Sequence, residues 1–188
     1  MKSTLIAIGL VAALAVPGAL ASAHKPSNAD KRAAIAQCRA ERGKTRATRE
    51  AFKAKYHSFA RCLRRDVKRE QAESARARAN AAKDCKAERQ ADPAAFQQKY
   101  GANHNDRNAY GKCVSSKAKH KKAQMDAQDL QEAKQFRNAA KECAAERRDI
   151  GRDAFKQKYG TNRNKRNAFG KCVSSKVHEN EHYTDPLA

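Results

Sequence analysis

The stretch RNAYGKCVSSK at residues 107–117 returns as RNAFGKCVSSK at residues 166–176. Ten of the eleven positions are identical, and the exception is Tyr110 against Phe169. A repeated phrase centred on a cysteine indicates either a duplicated active site or a duplicated disulfide. The surrounding residues favour the disulfide, because each phrase closes a larger repeated unit that carries another cysteine near its start.

The mature chain contains three copies of this unit. Each copy begins with the pattern C-x-AER, continues with F-x-x-KY and closes on its second cysteine. The degenerate copy 1 lacks the Asn-rich stretch that copies 2 and 3 have before that cysteine. The division predicts a signal peptide at 1–23, copy 1 at 28–63, copy 2 at 81–118, copy 3 at 139–177, helical connectors at 64–80 and 119–138, and a polar tail at 178–188.

The six cysteines predict three disulfides. Spacing alone leaves fifteen pairings open. The repeat narrows the choice, because a bridge contained within one copy is duplicated whenever the copy is duplicated. The simplest pairing joins Cys38 to Cys62, Cys85 to Cys113 and Cys143 to Cys172.

These motifs resemble a repeat in uncharacterised secreted proteins of high-GC actinobacteria. The likeness rests on C-x-AER, on F-x-x-KYG and on N-x-N-x-x-N-A-[FY]-GKCVS, and it extends over most of the mature chain. It implies a secreted helical repeat protein with paired cysteines. It implies no particular activity, so no functional residue is carried over from it.

The first 23 residues follow the order of a secretory signal peptide. Lys2 precedes an apolar run from Leu5 to Val16, which is too short to span a bilayer comfortably. Small residues allow cleavage after Ala21 or after Ala23. The mature protein is therefore expected in the extracellular space or the cell envelope, where disulfides persist.

Composition and helical periodicity predict an all-α fold, an elongated array of about three disulfide-clamped units joined by long helices. The connectors contain no glycine or proline and are rich in helix-forming residues, which favours continuous helix. Leu130, Ala133, Phe136 and Ala140 supply an apolar face in the second connector. They form no clean heptad seam, so a coiled coil is the weaker interpretation.

Each full copy is expected to contain three short helices. Asp92 followed by Pro93 is typical of a helix N-cap with proline at the first helical position. Asn105 and Asn164 are expected to cap the third helix of copies 2 and 3.

Two features of the composition call for a structural explanation. Gly111 and Gly170 lie inside a predicted helix, where glycine costs about 1 kcal/mol against alanine, so a close helix contact is expected at both. Leu, Ile, Val and Phe number only fifteen after residue 23, too few for a large core. The disulfides are expected to compensate, since closing roughly 29 residues is worth about 3.6 kcal/mol in the chain-entropy model.

Catalytic roles for the cysteines are disfavoured. No C-x-x-C pair occurs, and the cysteine spacing does not match a zinc site. No phosphate-binding glycine loop and no recognised catalytic motif is present, so a non-enzymatic protein without a cofactor is expected. One metal hypothesis stays open: His24 near the processed N-terminus, and His178 with His182 one helical turn apart, would suit copper.

Charge is the strongest functional signal. The chain has 41 lysines and arginines against 20 acids and a formal net charge of +21, which leaves the mature protein near +20. Aromatic residues make up 6% of the chain, and no sequence-reading nucleic-acid motif occurs. The sequence therefore predicts a protein that binds anionic polymers by charge: cell-wall polymer, an anionic lipid surface or extracellular DNA. A cationic membrane-active protein ranks last, because no basic amphipathic helix carries large apolar residues on its other side. The oligomeric state is left open.

Overall fold

The computed structural model describes residues 25–101 and 107–183, without the side chains of 180–183. The predicted signal peptide at 1–23 therefore lies outside the described residues. The described part is all-α, as predicted from the sequence, with no strand in it. Its helices are α1 (Asn28–Arg42), α2 (Arg46–Tyr56), α3 (Phe59–Ala91), α4 (Pro93–Tyr100), α5 (Ala109–Asp149), α6 (Arg152–Tyr159) and α7 (Ala168–Tyr183).

Each of the two longest helices joins two copies. α3 starts as the last helix of copy 1, runs through the connector at 64–80 and ends as the first helix of copy 2. α5 does the same for copies 2 and 3 through the connector at 119–138. α7 continues to Tyr183, so the first part of the predicted polar tail is helical.

The chain reverses direction at copy 2. α3 and α5 pack antiparallel, because residues progressively later in α3 pair with residues earlier in α5. α1 packs against both of them to form a three-helix bundle. Copy 2 lies at one end of this bundle, and copies 1 and 3 lie side by side at the other, where α2 contacts α5 and α7. The elongated array is therefore not confirmed, because copy 1 packs on copy 3 rather than following a linear order.

Three disulfides tie the helices of each copy together, and their pairs are those that the repeat predicts. Each bridge joins the first helix of a copy to its last: Cys38–Cys62, Cys85–Cys113 and Cys143–Cys172. Each lies in its own small cluster of buried side chains. The Phe and Tyr rings of F-x-x-KY contact each other at a tilt in every cluster, with ring centroids 5.0, 4.9 and 4.9 Å apart. The fold thus has three small cores in place of one large one.

The apolar face predicted for the second connector is correct except at one residue. Ala133, Phe136 and Ala140 are buried, but Leu130 is 49% exposed. Asp129 faces inward instead of Leu130, because adjacent residues of a helix point about 100° apart.

The predicted caps are half right. Asp92 caps α4 and accepts a hydrogen bond from the backbone N–H of Ala95 at 2.9 Å. Asn164 is not a helix cap: its Oδ1 accepts from the N–H of Arg166 at 3.1 Å, which forms a turn, and α7 begins only after Asn167. Asn105 lies outside the described residues.

Candidate functional site

The glutamate of the AER motif anchors copy 2 beside its disulfide. Glu88 pairs with Lys99 at 2.7 Å and with Lys117 at 2.8 Å, and the Tyr100 hydroxyl donates to it at 3.2 Å. Hydrogen bonds from Lys117 and Lys99 lower the pKa of Glu88 to about 2. The lysine and tyrosine of KY and the last lysine of GKCVSSK therefore meet at one carboxylate.

Copy 3 repeats this arrangement. Glu146 pairs with Lys158 at 2.7 Å and Lys176 at 3.6 Å, and the Tyr159 hydroxyl donates to it at 2.9 Å. The hydrogen bond from Lys158 holds the pKa of Glu146 below its ordinary value. The residues that the two motifs share are thus the residues that contact one another. We call this arrangement the clamp: a disulfide, and beside it a carboxylate that binds two lysines and a tyrosine.

The arginine of the AER motif covers the aromatic residue of the closing phrase, the repeated motif at 107–117 and 166–176. Arg89 lies over the ring of Tyr110 at 5.0 Å, and Arg147 lies over the ring of Phe169 at 4.6 Å. Arg147 also forms two hydrogen bonds to Glu50 of copy 1, at 2.6 and 2.9 Å. In copy 3 the same side chain therefore serves the clamp and the contact between copies.

Copy 1 departs from this clamp beyond its second cysteine. Glu41 still pairs with a lysine, Lys55, at 2.9 Å. The residue four positions after the second cysteine is Asp66, where copies 2 and 3 have Lys117 and Lys176. A carboxylate thus replaces the cation that would face Glu41.

The carboxyl group of Asp66 lies against the disulfide of copy 1. Its Oδ2 is 3.2 Å from the sulfur of Cys38 and 3.4 Å from that of Cys62, and the residue is 1% exposed. Bonded sulfurs have no proton to donate, so they cannot stabilise a carboxylate. Burial, with the charge of Glu41, raises the pKa of Asp66 to about 6. Because both sulfurs are already bonded to each other, this group is not a metal site.

A second buried charge cluster lies in the middle of the bundle. The ammonium group of Lys122 contacts Glu70 and Asp126 and lies 3.3 Å from Glu73. Glu70 is 1% exposed. Burial lowers the pKa of Lys122, but the hydrogen bonds to Asp126 and Glu70 outweigh it and raise the pKa above its ordinary value. The cation therefore holds α3 and α5 together in the stretch where the bundle has few apolar side chains.

An ion pair continues this cluster toward copies 1 and 3. Arg69 contacts Asp129 at 2.8 Å. Burial nonetheless raises the pKa of Asp129 to about 6. The sequence reasoning missed these residues, although Asp66, Glu70 and Glu73 follow the i, i+4, i+7 spacing of one helix face.

The fold uses its acidic residues internally. Among the described residues, Glu132 and Asp149 are the two carboxylates that are neither buried, nor hydrogen-bonded, nor in an ion pair. Ion pairs between described residues involve ten cations, whereas the described residues contain 40 of the 41 lysines and arginines of the chain. The excess positive charge is therefore presented to solvent.

Of the proposed copper ligands, only His178 has a side chain that the structure describes. His178 lines a groove between α2, the start of α3, the middle of α5 and α7, together with His57. We call this feature the junction groove, because it lies where copy 1 meets copy 3. His24 lies outside the described residues, and the side chain of His182 is not described. Copper binding stays a prediction.

Comparisons with known proteins add no relationship: no family model, no curated protein and no solved structure matches the chain. The resemblance to secreted actinobacterial repeat proteins accordingly stays a prediction. Within the described residues, none of the helices combines the length and the apolar character needed to cross a membrane. Three disulfides indicate an oxidising compartment.

Proposed function

We propose that this is a secreted, non-enzymatic protein that binds anionic polymers of the envelope or the extracellular space by charge. The observation that carries the proposal is the placement of charge: carboxylates lie in the clamps and the bundle, while most cations face solvent. Such a surface attracts polyanions over a distance of about 10 Å at moderate salt.

The exposed surface favours polymer binding over membrane insertion. Leu130 and Ile150 are the large apolar side chains exposed among the described residues, at 49% and 42%. Neither belongs to a continuous apolar stripe of the kind that an interfacial helix needs. The carboxyl group of Asp66, whose pKa is raised, is buried against a disulfide, where no substrate reaches it. This placement favours a binding protein over an enzyme.

Export is part of the proposal. The three disulfides hold three small cores together, and disulfides form and persist in oxidising compartments outside the cytosol. Cleavage after Ala21 or Ala23 would leave Ser22 or His24 as the first residue of the mature protein. The N-terminal mass of the secreted protein identifies the site.

A salt titration tests the mechanism. The oxidised mature protein is bound to immobilised cell-wall polymer, to anionic vesicles and to DNA, with a neutral polysaccharide as the control. We expect binding to the anionic surfaces alone. The affinity should fall steeply between low and physiological salt, because the free energy gained by releasing counterions shrinks as the salt concentration rises. Binding that ignores salt, or that extends equally to the neutral polymer, would overturn the proposal.

A further inference from the structure

The junction groove is a cavity whose lining contains more cations than carboxylates. Its volume is about 850 Å³. α2 and α7 approach closely along one side, since a Cβ built at Gly170 would lie 3.1 Å from the Cβ of Ala54. The cavity therefore exists only because copy 1 docks on copy 3.

Cations outnumber carboxylates around the groove. Two carboxylates line it, Glu41 and Glu132, against six cations: Lys53, Lys55, Arg65, Arg69, Arg166 and Lys171. Lys55 is paired with Glu41, and Arg69 is paired with Asp129.

The other four cations are in no ion pair among the described residues, and one of them, Arg65, lies over the ring of Tyr56. The remaining three have neither a carboxylate partner nor a ring contact: Lys53, Arg166 and Lys171. They come from α2, from the turn before α7 and from α7 itself, and all three are exposed. Cations that approach one cavity from three elements form a site for a ligand with several negative charges.

We infer that the junction groove binds a segment of a flexible linear phosphate polymer, an inference that rests on the proposed function. The volume of the groove fits a few repeat units of such a chain. A phosphate chain carries a charge on every short unit, so a segment of this size presents several charges to the three unpaired cations. A carboxylated polysaccharide carries at most about one charge per bulky ring, and a duplex is too wide to enter.

The walls of the groove disfavour single-stranded nucleic acid. Tyr56 and Phe136 line the groove but are only 5% and 8% exposed. Lys55 lies over both rings at 4.9 and 4.7 Å, and Arg65 lies over Tyr56 at 5.6 Å. No aromatic face is left in the groove for a base to stack on, and stacking is the main source of base affinity in single-strand binders.

Copy 2 supplies a matched control for the test. Arg107 and Lys112 stand at the positions of Arg166 and Lys171 in the closing phrase, but they lie at the far end of the bundle. The variants Arg166→Gln/Lys171→Gln and Arg107→Gln/Lys112→Gln therefore remove the same charge from the same motif. All four residues are exposed, so both variants are expected to fold, which far-ultraviolet circular dichroism and the melting temperature check.

Calorimetric titration with short linear inorganic polyphosphate decides the question. We expect one site per chain, a loss of about tenfold or more in affinity for the groove variant, and a loss of about twofold or less for the control variant. Lys53→Gln should weaken binding in the same direction as the groove variant.

The outcomes separate the groove from the function. Equal losses of polyphosphate affinity in the two double variants would leave general polyanion binding intact. They would overturn the assignment of the groove as the binding site. A wild-type protein that binds neither polyphosphate nor any other polyanion would overturn both. Duplex DNA or a carboxylated polysaccharide binding as tightly as polyphosphate, with the same loss in the groove variant, would overturn the assignment of the ligand.

Discussion

Copies 2 and 3 carry almost the same closing phrase and the same clamp, yet one face of that phrase is open in copy 2 and covered in copy 3. A Cβ built at Gly111 would meet no described heavy atom within 4 Å, whereas one at Gly170 would meet Ala54 at 3.1 Å. Val114 is half-buried, and its counterpart Val173 is 1% exposed. The repeat therefore specifies the clamp, while the surroundings of the clamp depend on which copy docks beside it.

The one mismatch in the repeated phrase follows this difference. Phe169 is 6% exposed in the covered copy and packs in the cluster that includes Ala51 of copy 1. Tyr110 in the open copy is half-buried, and its hydroxyl donates to the carbonyl oxygen of Ala82 at 3.1 Å. A hydroxyl suits the position that water can reach.

Removing the disulfides one copy at a time should give the largest effect. Cys85→Ser/Cys113→Ser should lower the free energy of unfolding by about 3.5 kcal/mol, because it frees a loop of 28 residues. Cys143→Ser/Cys172→Ser should cost about 5 kcal/mol, because it also loosens the cluster on which copy 1 packs. Guanidinium unfolding measures both, and equal losses would contradict a special role for the covered copy.

The carboxyl group that distinguishes copy 1 should give a pH-dependent effect. The pKa of Asp66 is about 6 in the folded chain and ordinary in the unfolded chain, so the folded state keeps the proton longer. The stability from this proton is present below about pH 4 and is lost as pH rises through about 6, by roughly 3 kcal/mol. Unfolding curves across this range should show a smaller decline for Asp66→Asn.

The matched control for this prediction is Asp84→Asn, which changes an exposed carboxylate paired with Lys121. We expect the wild-type decline between about pH 4 and 6 to persist in that variant. If Asp66→Asn and Asp84→Asn keep the same decline, the buried carboxyl group of copy 1 is not its source.

Alanine at the two matching glycines should act in opposite directions. Gly170→Ala forces a methyl group against Ala54 and should lower the free energy of unfolding by about 1–3 kcal/mol. Gly111→Ala meets open space inside a helix and should raise it by about 0.5–1 kcal/mol. Thermal unfolding of the two variants checks the signs, and a shift of the same sign in both would show that the surroundings of the two copies are alike.

Removing the hydroxyl of the open copy should give the smallest effect. Tyr110→Phe loses the hydrogen bond to Ala82 and should cost about 1 kcal/mol. Tyr110→Leu removes the ring under Arg89 as well and should cost more. A Tyr110→Phe variant as stable as the wild type would mean that the mismatch between the two phrases is unrelated to exposure.

The local structure of each copy could be predicted from the sequence, because it depends on short-range patterns. Helical composition, the N-cap before Pro93 and the pairing of cysteines within a repeat are all readable from neighbouring residues. The glycine contact was predicted at two sites and is found at one, Gly170. At Gly111 the prediction was wrong, because a contact needs a partner helix and the phrase itself says nothing about one.

The packing of the copies could not be predicted in the same way. Glu70 and Lys122 lie 52 residues apart, and each looks like an ordinary charge on a solvated helix. They meet only because α3 and α5 fold back on each other. The junction groove has the same origin, since Lys53 and Lys171 come from different copies and no motif links them.

The lengths of the two long helices set the distances between the disulfides of neighbouring copies. Cys62 and Cys85 are 23 residues apart on α3, and Cys113 and Cys143 are 30 residues apart on α5. At 1.5 Å per residue these spans are about 35 and 45 Å, so the disulfide of copy 3 lies about 10 Å beyond that of copy 1 along the bundle. Seven residues are about two helical turns. Deleting seven residues from the connector in α5 would therefore keep its inward face and bring the disulfides of copies 1 and 3 to the same height along the bundle. The two clamps beside the junction groove are thus offset along the bundle, and the number of helical turns in the connector sets that offset.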